Sequence, residues 1–237
     1  MCTTTWVYHH DGYELWFNRD ELRSRGRGRA PEVLNKGIPY IAPRDSDSGG
    51  TWIAVNSRGL TVAILNYYQG TPPESADFRS RGLLVSDMAP QDGILSVQAA
   101  LAKVDLARYR PFEFLAVDTS GVKRFLWTGE RFTTDEPAPP LSSSSYRTDA
   151  VVTHRKVLYD SYGTTAQEKF HRSAVGPESA FWVCMTRSDA LTHSISRIVV
   201  DARRVRFWYG DAESEYRFPE GPVEIPRATG AGAESAG

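Results

Sequence analysis

The chain opens on a β-branched and aromatic run, Thr3-Thr4-Thr5-Trp6-Val7-Tyr8, which predicts a strand over residues 3–8. His9-His10-Asp11-Gly12 supplies a turn, and residues 13–20 alternate well enough to form the return strand of a hairpin. Residues 23–31, rich in Arg and Gly, carry no periodicity and read as loop. Residues 51–55 and 60–65 are apolar at nearly every position, which predicts two strands buried on both faces, joined by Asn56-Ser57-Arg58-Gly59. Ile94, Val97, Leu101 and Val104 recur at helical spacing and predict a helix over 92–104 with Asp92 as its N-cap. Strands are expected at 112–117 and 122–127, a loop at 137–145 and a second helix at 149–159. Three more strands follow, at 181–185, 194–200 and 205–209. The small-residue stretch 226–237 reads as a disordered tail. Strands, then helices, then strands give the α+β class, with helices layered on sheet. No linker divides the chain, so residues 1–225 are expected to be one domain.

Composition narrows the function classes. In 237 residues, 28 basic side chains stand against 29 acidic ones, a net charge of −1. That balance gives no global electrostatic case for nucleic acid or an anionic membrane. No stretch approaches the ~20 apolar residues of a membrane span, and the start lacks the features of a signal peptide. Cys2 and Cys184 alone cannot build a disulfide scaffold or a Cys-rich zinc site, so the expected address is the reducing cytoplasm. The five histidines are scattered and suggest no metal site. The Arg-Gly run from Arg23 to Arg29 lacks interleaved aromatics, so a solvated loop is favoured over an RNA contact.

The informative residue is Cys2. Removal of Met1 would leave Cys2 as the true N-terminus, with an α-amine whose pKa lies near ~7.7–8.0. One residue would then carry both a thiol nucleophile and its general base. The bland reading is a small filler at the start of a strand. Asn18-Arg19-Asp20-Glu21 ends the strand that pairs with the Cys2 strand. A carboxylate of this tetrad near Cys2 can hold the α-ammonium and a cation can favour the thiolate; a salt-bridged strand end is the alternative. Asn66, leaving a buried strand, offers an oxyanion donor or plain turn chemistry. Cys184, within Phe181-Trp182-Val183-Cys184, reads as a buried strand cysteine.

Taken together, these pieces resemble the Asn-Arg-Asp-Glu family, also called the transport and Golgi organisation protein 2 family. The resemblance rests on Met1-Cys2, Asn18-Arg19-Asp20-Glu21, Gly49-Gly50-Thr51-Trp52, Val55-Asn56, Gly59-Leu60, Leu65-Asn66, Ser80 to Val85, and Asp189-Ala190 with Thr192 and Ser194. It implies an N-terminal nucleophile hydrolase, a four-layer αββα sandwich, with Cys2, Asp20, Asn66 and Arg19 as candidate catalytic residues, Asp20 partnering the α-amine, and Asn18, Glu21 and Trp52 as candidate substrate-binding residues. The stretch from Asn56 to Asn66 is also similar to the penicillin V acylase and bile salt hydrolase group, from which Asn66 inherits an oxyanion role. Two departures stand out. Phe17 falls where that group has an arginine, with Arg19 displaced along the same strand face. Ser142-Ser143-Ser144-Ser145 stands where it has a second active-site Asn, and its later arginine has no counterpart visible in the sequence.

Two functions follow from the resemblance. The first is a cysteine amidohydrolase, or acyl transferase, acting on a small non-peptide amide through a thioester and requiring no cofactor. The second is a non-enzymatic protein that binds or moves haem or another small molecule. The six Trp and eleven Tyr leave room for an aromatic pocket.

Overall fold

The computed structural model describes residues 2–74 and 77–228. Strands β1 (Cys2–His9) and β2 (Gly12–Leu22) form the first hairpin. They are followed by β3 (Gly28–Lys36), β4 (Ile38–Asp45), β5 (Ile53–Asn56) and β6 (Thr61–Asn66). Helices α1 (Arg81–Met88) and α2 (Ile94–Leu101) precede β7 (Phe112–Asp118), β8 (Gly121–Trp127), β9 (Phe132–Asp135) and β10 (Leu141–Ser143). Helices α3 (Thr148–Tyr162) and α4 (Gln167–His171) lead into β11 (Ala190–Val200), β12 (Arg204–Asp211) and β13 (Val223–Pro226).

Among the described residues the strands form two antiparallel sheets. A six-stranded one runs β10-β1-β2-β11-β12-β13, and a seven-stranded one runs β3 through β9 in order. Alternation along the strands explains the layering. Trp6, Leu15, Phe17, Ile198 and Phe207 from the first sheet meet Ile41, Ile53, Val55, Leu65 and Leu115 from the second, and this packing is the central core. The opposite face of the second sheet, with Ala54, Val62, Ile64 and Phe114, is covered by Leu84, Val85 and Met88 of α1 and Val97 and Leu101 of α2. Helices α3 and α4 lie against the first sheet. The result is an αββα sandwich, as the resemblance implied.

Several local expectations need correction. Asp92 does not cap α2; Gly93 does, and Asp118 accepts from the Ile94 N–H at 3.0 Å. The arginine-glycine loop gives way to a strand at Gly28, because Arg29 to Lys36 pair with β4. The serine run is not all loop. Leu141, Ser142 and Ser143 form β10, paired with Thr4, Thr3 and Cys2. Residues 181–185 are not a strand; a 3-10 turn at Ser179–Phe181 leads into irregular chain. Of the expected tail, Pro226 ends β13, and Arg227 and Ala228 bond to Arg203 and Ser57. Residues 229–237 lie outside the described residues.

Candidate active site

Cys2 sits at the junction of three strands. Across the ladders it faces Arg19 on β2 and Ser143 on β10. Its backbone N–H donates to Ser143 Oγ at 3.1 Å. The sulfur points between the sheets, on the same face as Phe17, and is 8% exposed. Burial pushes the thiol pKa up, and the negative charges of Asp20 and Glu21 add to that. An Asp20 backbone N–H bonded to the sulfur opposes them. On balance burial favours the protonated thiol.

Asp20 is buried and lies beyond Arg19 on the same strand. A β-bulge in β11, between Thr192 and Ser194, sets Thr192 opposite Asp20 and Ser194 opposite Arg19. The Thr192 hydroxyl donates to Asp20 Oδ1 at 2.6 Å. Arg155 Nη1 lies 3.7 Å from Asp20 Oδ2, both side chains having no solvent exposure. Burial pushes Asp20 upward from the carboxylate range, and Arg155 and Thr192 pull it back.

Arg155 was not legible as a site residue. It lies on α3 in the buried stripe Val151, Arg155, Tyr159, at helical i, i+4 spacing. Its guanidinium donates to Thr3 Oγ1 at 2.7 Å and to the Trp182 carbonyl at 2.6 Å. An arginine in an otherwise apolar helix stripe is the signal that could have found it, because a buried guanidinium needs a partner. The absence of a sequence counterpart for the acylase arginine thus does not leave Asp20 without a cation.

Arg19 turns into the space between the sheets. Its guanidinium lies 4.4 Å from the Trp52 ring centroid, a cation–π contact, and Nη2 is 3.8 Å from Asp45 Oδ2. Asn66 ends β6 half-buried, and its Nδ2 donates to the Tyr68 hydroxyl at 2.9 Å. Burial pushes Tyr68 up to about 12, and a charge on Cys2 adds to that.

These side chains line one cavity of about 390 Å³, which includes Cys2, Arg19, Asp20, Glu21, Trp52 and Asn66. Asn18 does not join them. It is fully buried on the helix face of β2, with Nδ2 given to the carbonyls of His171 and Val183 at 2.8 and 2.9 Å. Its Oδ1 therefore accepts from His171 Nδ1 at 2.7 Å, which fixes the imidazole tautomer. The expected substrate contact at Asn18 is thus replaced by a tie between β2, α4 and the segment at Val183. Strand alternation is the reason. Asn18 and Asp20 point toward the helices and Arg19 into the cavity, while the backbone N–H of Asp20 stays on the Cys2 sulfur.

Cys184 is half-buried in irregular chain rather than in a strand, and burial pushes its thiol up to about 11. In the Arg-Gly segment, Arg25 binds Asp45 and Asp47 at 2.6 and 3.2 Å, Arg27 pairs with Glu213, and Arg23 donates to the Arg187 carbonyl. Among the described residues no cluster of three or more His, Cys, Asp or Glu is placed to hold a metal, and no helix is long and apolar enough to cross a membrane.

The fold recurs among solved structures. Penicillin V acylase from Agrobacterium tumefaciens superposes with a TM-score of 0.55 at 12% identity, over 90% of this chain and 83% of that one. A mutant of conjugated bile acid hydrolase from Clostridium perfringens gives 0.56 at 13% identity, over 95% and 92%. Likeness at such identity shows the fold alone, that of the N-terminal nucleophile hydrolases. In sequence, the mouse Transport and Golgi organization 2 homolog is 32% identical over 114 residues, 45% of this chain, and the match spans 38% of the mouse protein. Residues 1–171, with the Cys2 hairpin, the cavity and Arg155, match the Transport and Golgi organisation 2 family. The chain belongs to the Transport and Golgi organisation 2 family.

Proposed function

We propose that the chain is an N-terminal nucleophile amidohydrolase, or acyl transferase, that cleaves a small non-peptide amide through a Cys2 thioester. The observation that carries this reading is the convergence of Cys2, Arg19, Asp20 and Asn66 on one cavity. Once Met1 is removed, the Cys2 α-amine takes the thiol proton and the sulfur adds to the amide carbonyl. Ser143 Oγ and the Asp20 carboxylate hold the resulting ammonium. Arg19, across the ladder from Cys2, favours the thiolate. Asn66 Nδ2, exchanging its bond to Tyr68, donates to the oxyanion. Collapse breaks the C–N bond, and the leaving amine takes the proton from the α-ammonium. The free α-amine then accepts a proton from water or an acceptor amine as that nucleophile attacks the thioester. The C–S bond breaks, the thiol is regenerated and the acid or new amide leaves.

A haem or small-molecule carrier is the second reading. Half of the residues lining the cavity are charged, whereas haem takes a largely apolar slot, so this reading has weaker support. A screen of small amides, read by mass for an acyl adduct on Cys2, tests the first reading. It expects turnover that Cys2→Ala abolishes. Turnover unchanged in Cys2→Ala would overturn it, and a Soret shift on haem titration of a protein inert to every amide would favour the carrier.

A further inference from the structure

Five arginines, Arg19, Arg25, Arg79, Arg81 and Arg110, border the cavity that holds Cys2. Two are spent on acids. Arg25 is bound by Asp45 and Asp47, and Arg79 by Asp87 at 2.8 Å and the Tyr109 hydroxyl at 2.7 Å. The other three are undercompensated. Arg81 gives Nη1 to the Pro111 carbonyl at 2.9 Å, and exposed Arg110 lies 4.7 Å over the Phe78 ring. Among the described residues neither meets a carboxylate at ion-pair distance. Arg19, only 4% exposed, has an Nη1 with no hydrogen-bond partner, and its nearest carboxylate, Asp45, is already engaged by Arg25 and two backbone N–H groups. A buried guanidinium nitrogen left without an acceptor is costly and calls for a ligand.

The start of α1 faces the same space. Ser80, Arg81 and Gly82 line the cavity, Ser80 makes no side-chain cap, and the first turn carries no acid. An uncapped N-terminus presents partial positive charge. Burial lowers the Arg81 pKa, Tyr68 and Glu21 partly restore it, and repulsion from Arg110 lowers it again. Four acids also line this space: Asp20 is engaged by Thr192 and Arg155, Asp45 and Asp47 by Arg25, and half-buried Glu21 acts on both Cys2 and Arg81, so an incoming anion is expected at the Arg81–Arg110 side rather than beside Glu21.

We propose that the α1 end of the cavity, formed by Arg81, Arg110 and the inner face of Arg19, binds an anionic group, so that the substrate is a small amide bearing a carboxylate or a phosphate. The substrate assignment rests on the amidohydrolase reading; the anion site stands on its own geometry. Guanidinium forks suit both anions. Of the three, Arg19 is the most buried, Arg81 is half-buried and Arg110 is the exposed, outer contact.

Calorimetric titration of the full chain with glutarate, with inorganic phosphate and with neutral glutaramide tests this. At least one anion should bind while glutaramide does not, and Arg81→Gln and Arg110→Gln should each weaken that anion by about tenfold or more. Preference for glutarate or phosphate identifies the group the substrate carries. Arg110 is exposed, so Arg110→Gln is expected to fold, and its thermal unfolding checks this. Anions that bind no better than glutaramide, or equally well to both variants, would overturn the site. Iodoacetamide labelling of Cys2 in the same samples separates the two proposals. A Cys2 that never labels defeats the amidohydrolase reading, while the titration still decides the anion site.

Discussion

Arg155 reaches from α3 to within 3.7 Å of Asp20, and both side chains are wholly removed from solvent. A buried pair of this kind gains little net stability, but breaking it strands a charge. Arg155→Met should therefore destabilise the fold by about 3–5 kcal/mol. Adding Asp20→Asn to Arg155→Met should recover part of that loss, because the stranded carboxylate is gone. Urea unfolding of the two single variants and the double variant measures the coupling. Simple additivity would show that the pair is not a unit.

Asn18 gives both amide hydrogens to carbonyls and accepts from His171. Asn18→Ala leaves two carbonyls and an imidazole N–H unpaired in the interior. A loss of roughly 2 kcal/mol or more is expected, with the residues lining the cavity unchanged. Equilibrium unfolding reads the cost, and glutarate affinity within twofold of the parent reads the intact cavity.

His171 is buried, stacked on Trp16, and its pKa is pushed down to about 3, first by burial and then by Arg155. Its folded-state pKa is lower than its unfolded value, so on acidification the unfolded chain takes up the proton first. Stability is retained above the unfolded value of 6.5 and lost as pH falls from there toward about 3. The slope from this group approaches about 1.4 kcal/mol per pH unit. His171→Gln should be less stable at neutral pH and show a flatter acid limb in pH-dependent urea unfolding. An identical acid limb would place the effect elsewhere.

Gly50 packs on the start of α1. A Cβ there would lie 2.4 Å from the Gly82 carbonyl carbon, beside the bond from the Thr51 N–H to the Gly82 carbonyl. Gly50→Ala must push α1 away, at a cost of about 1–3 kcal/mol. Because Arg81 opens α1, the same change should weaken glutarate binding. Thermal unfolding and calorimetry check the two effects together.

The hairpin, the Cys2–Arg19 neighbourhood and the apolar strands β5 and β6 were legible because period-two patterning and turn chemistry are local. Helix α1 was not, since Arg81–Met88 carries only Leu84, Val85 and Met88 as a buried face. Strand β10 was hidden in a serine run whose pairing with Cys2 is set by tertiary contact rather than propensity. Arg155 and Thr192 join Asp20 from positions 135 and 172 residues away. No local pattern encodes such a meeting. Asn18 was read into the site because its neighbours belong there, and strand alternation is what sends it to the other face.

The central claim is that Cys2 is the chain's N-terminus and its nucleophile. Intact mass before and after a brief iodoacetamide pulse near neutral pH, with peptide mapping, tests it most directly. Loss of Met1 and rapid labelling at Cys2 alone are expected, because the freed α-amine supplies Cys2 with a base that Cys184, its thiol pushed up to about 11 by burial, does not have. Retention of Met1, or labelling at Cys184 while Cys2 stays inert, would contradict it.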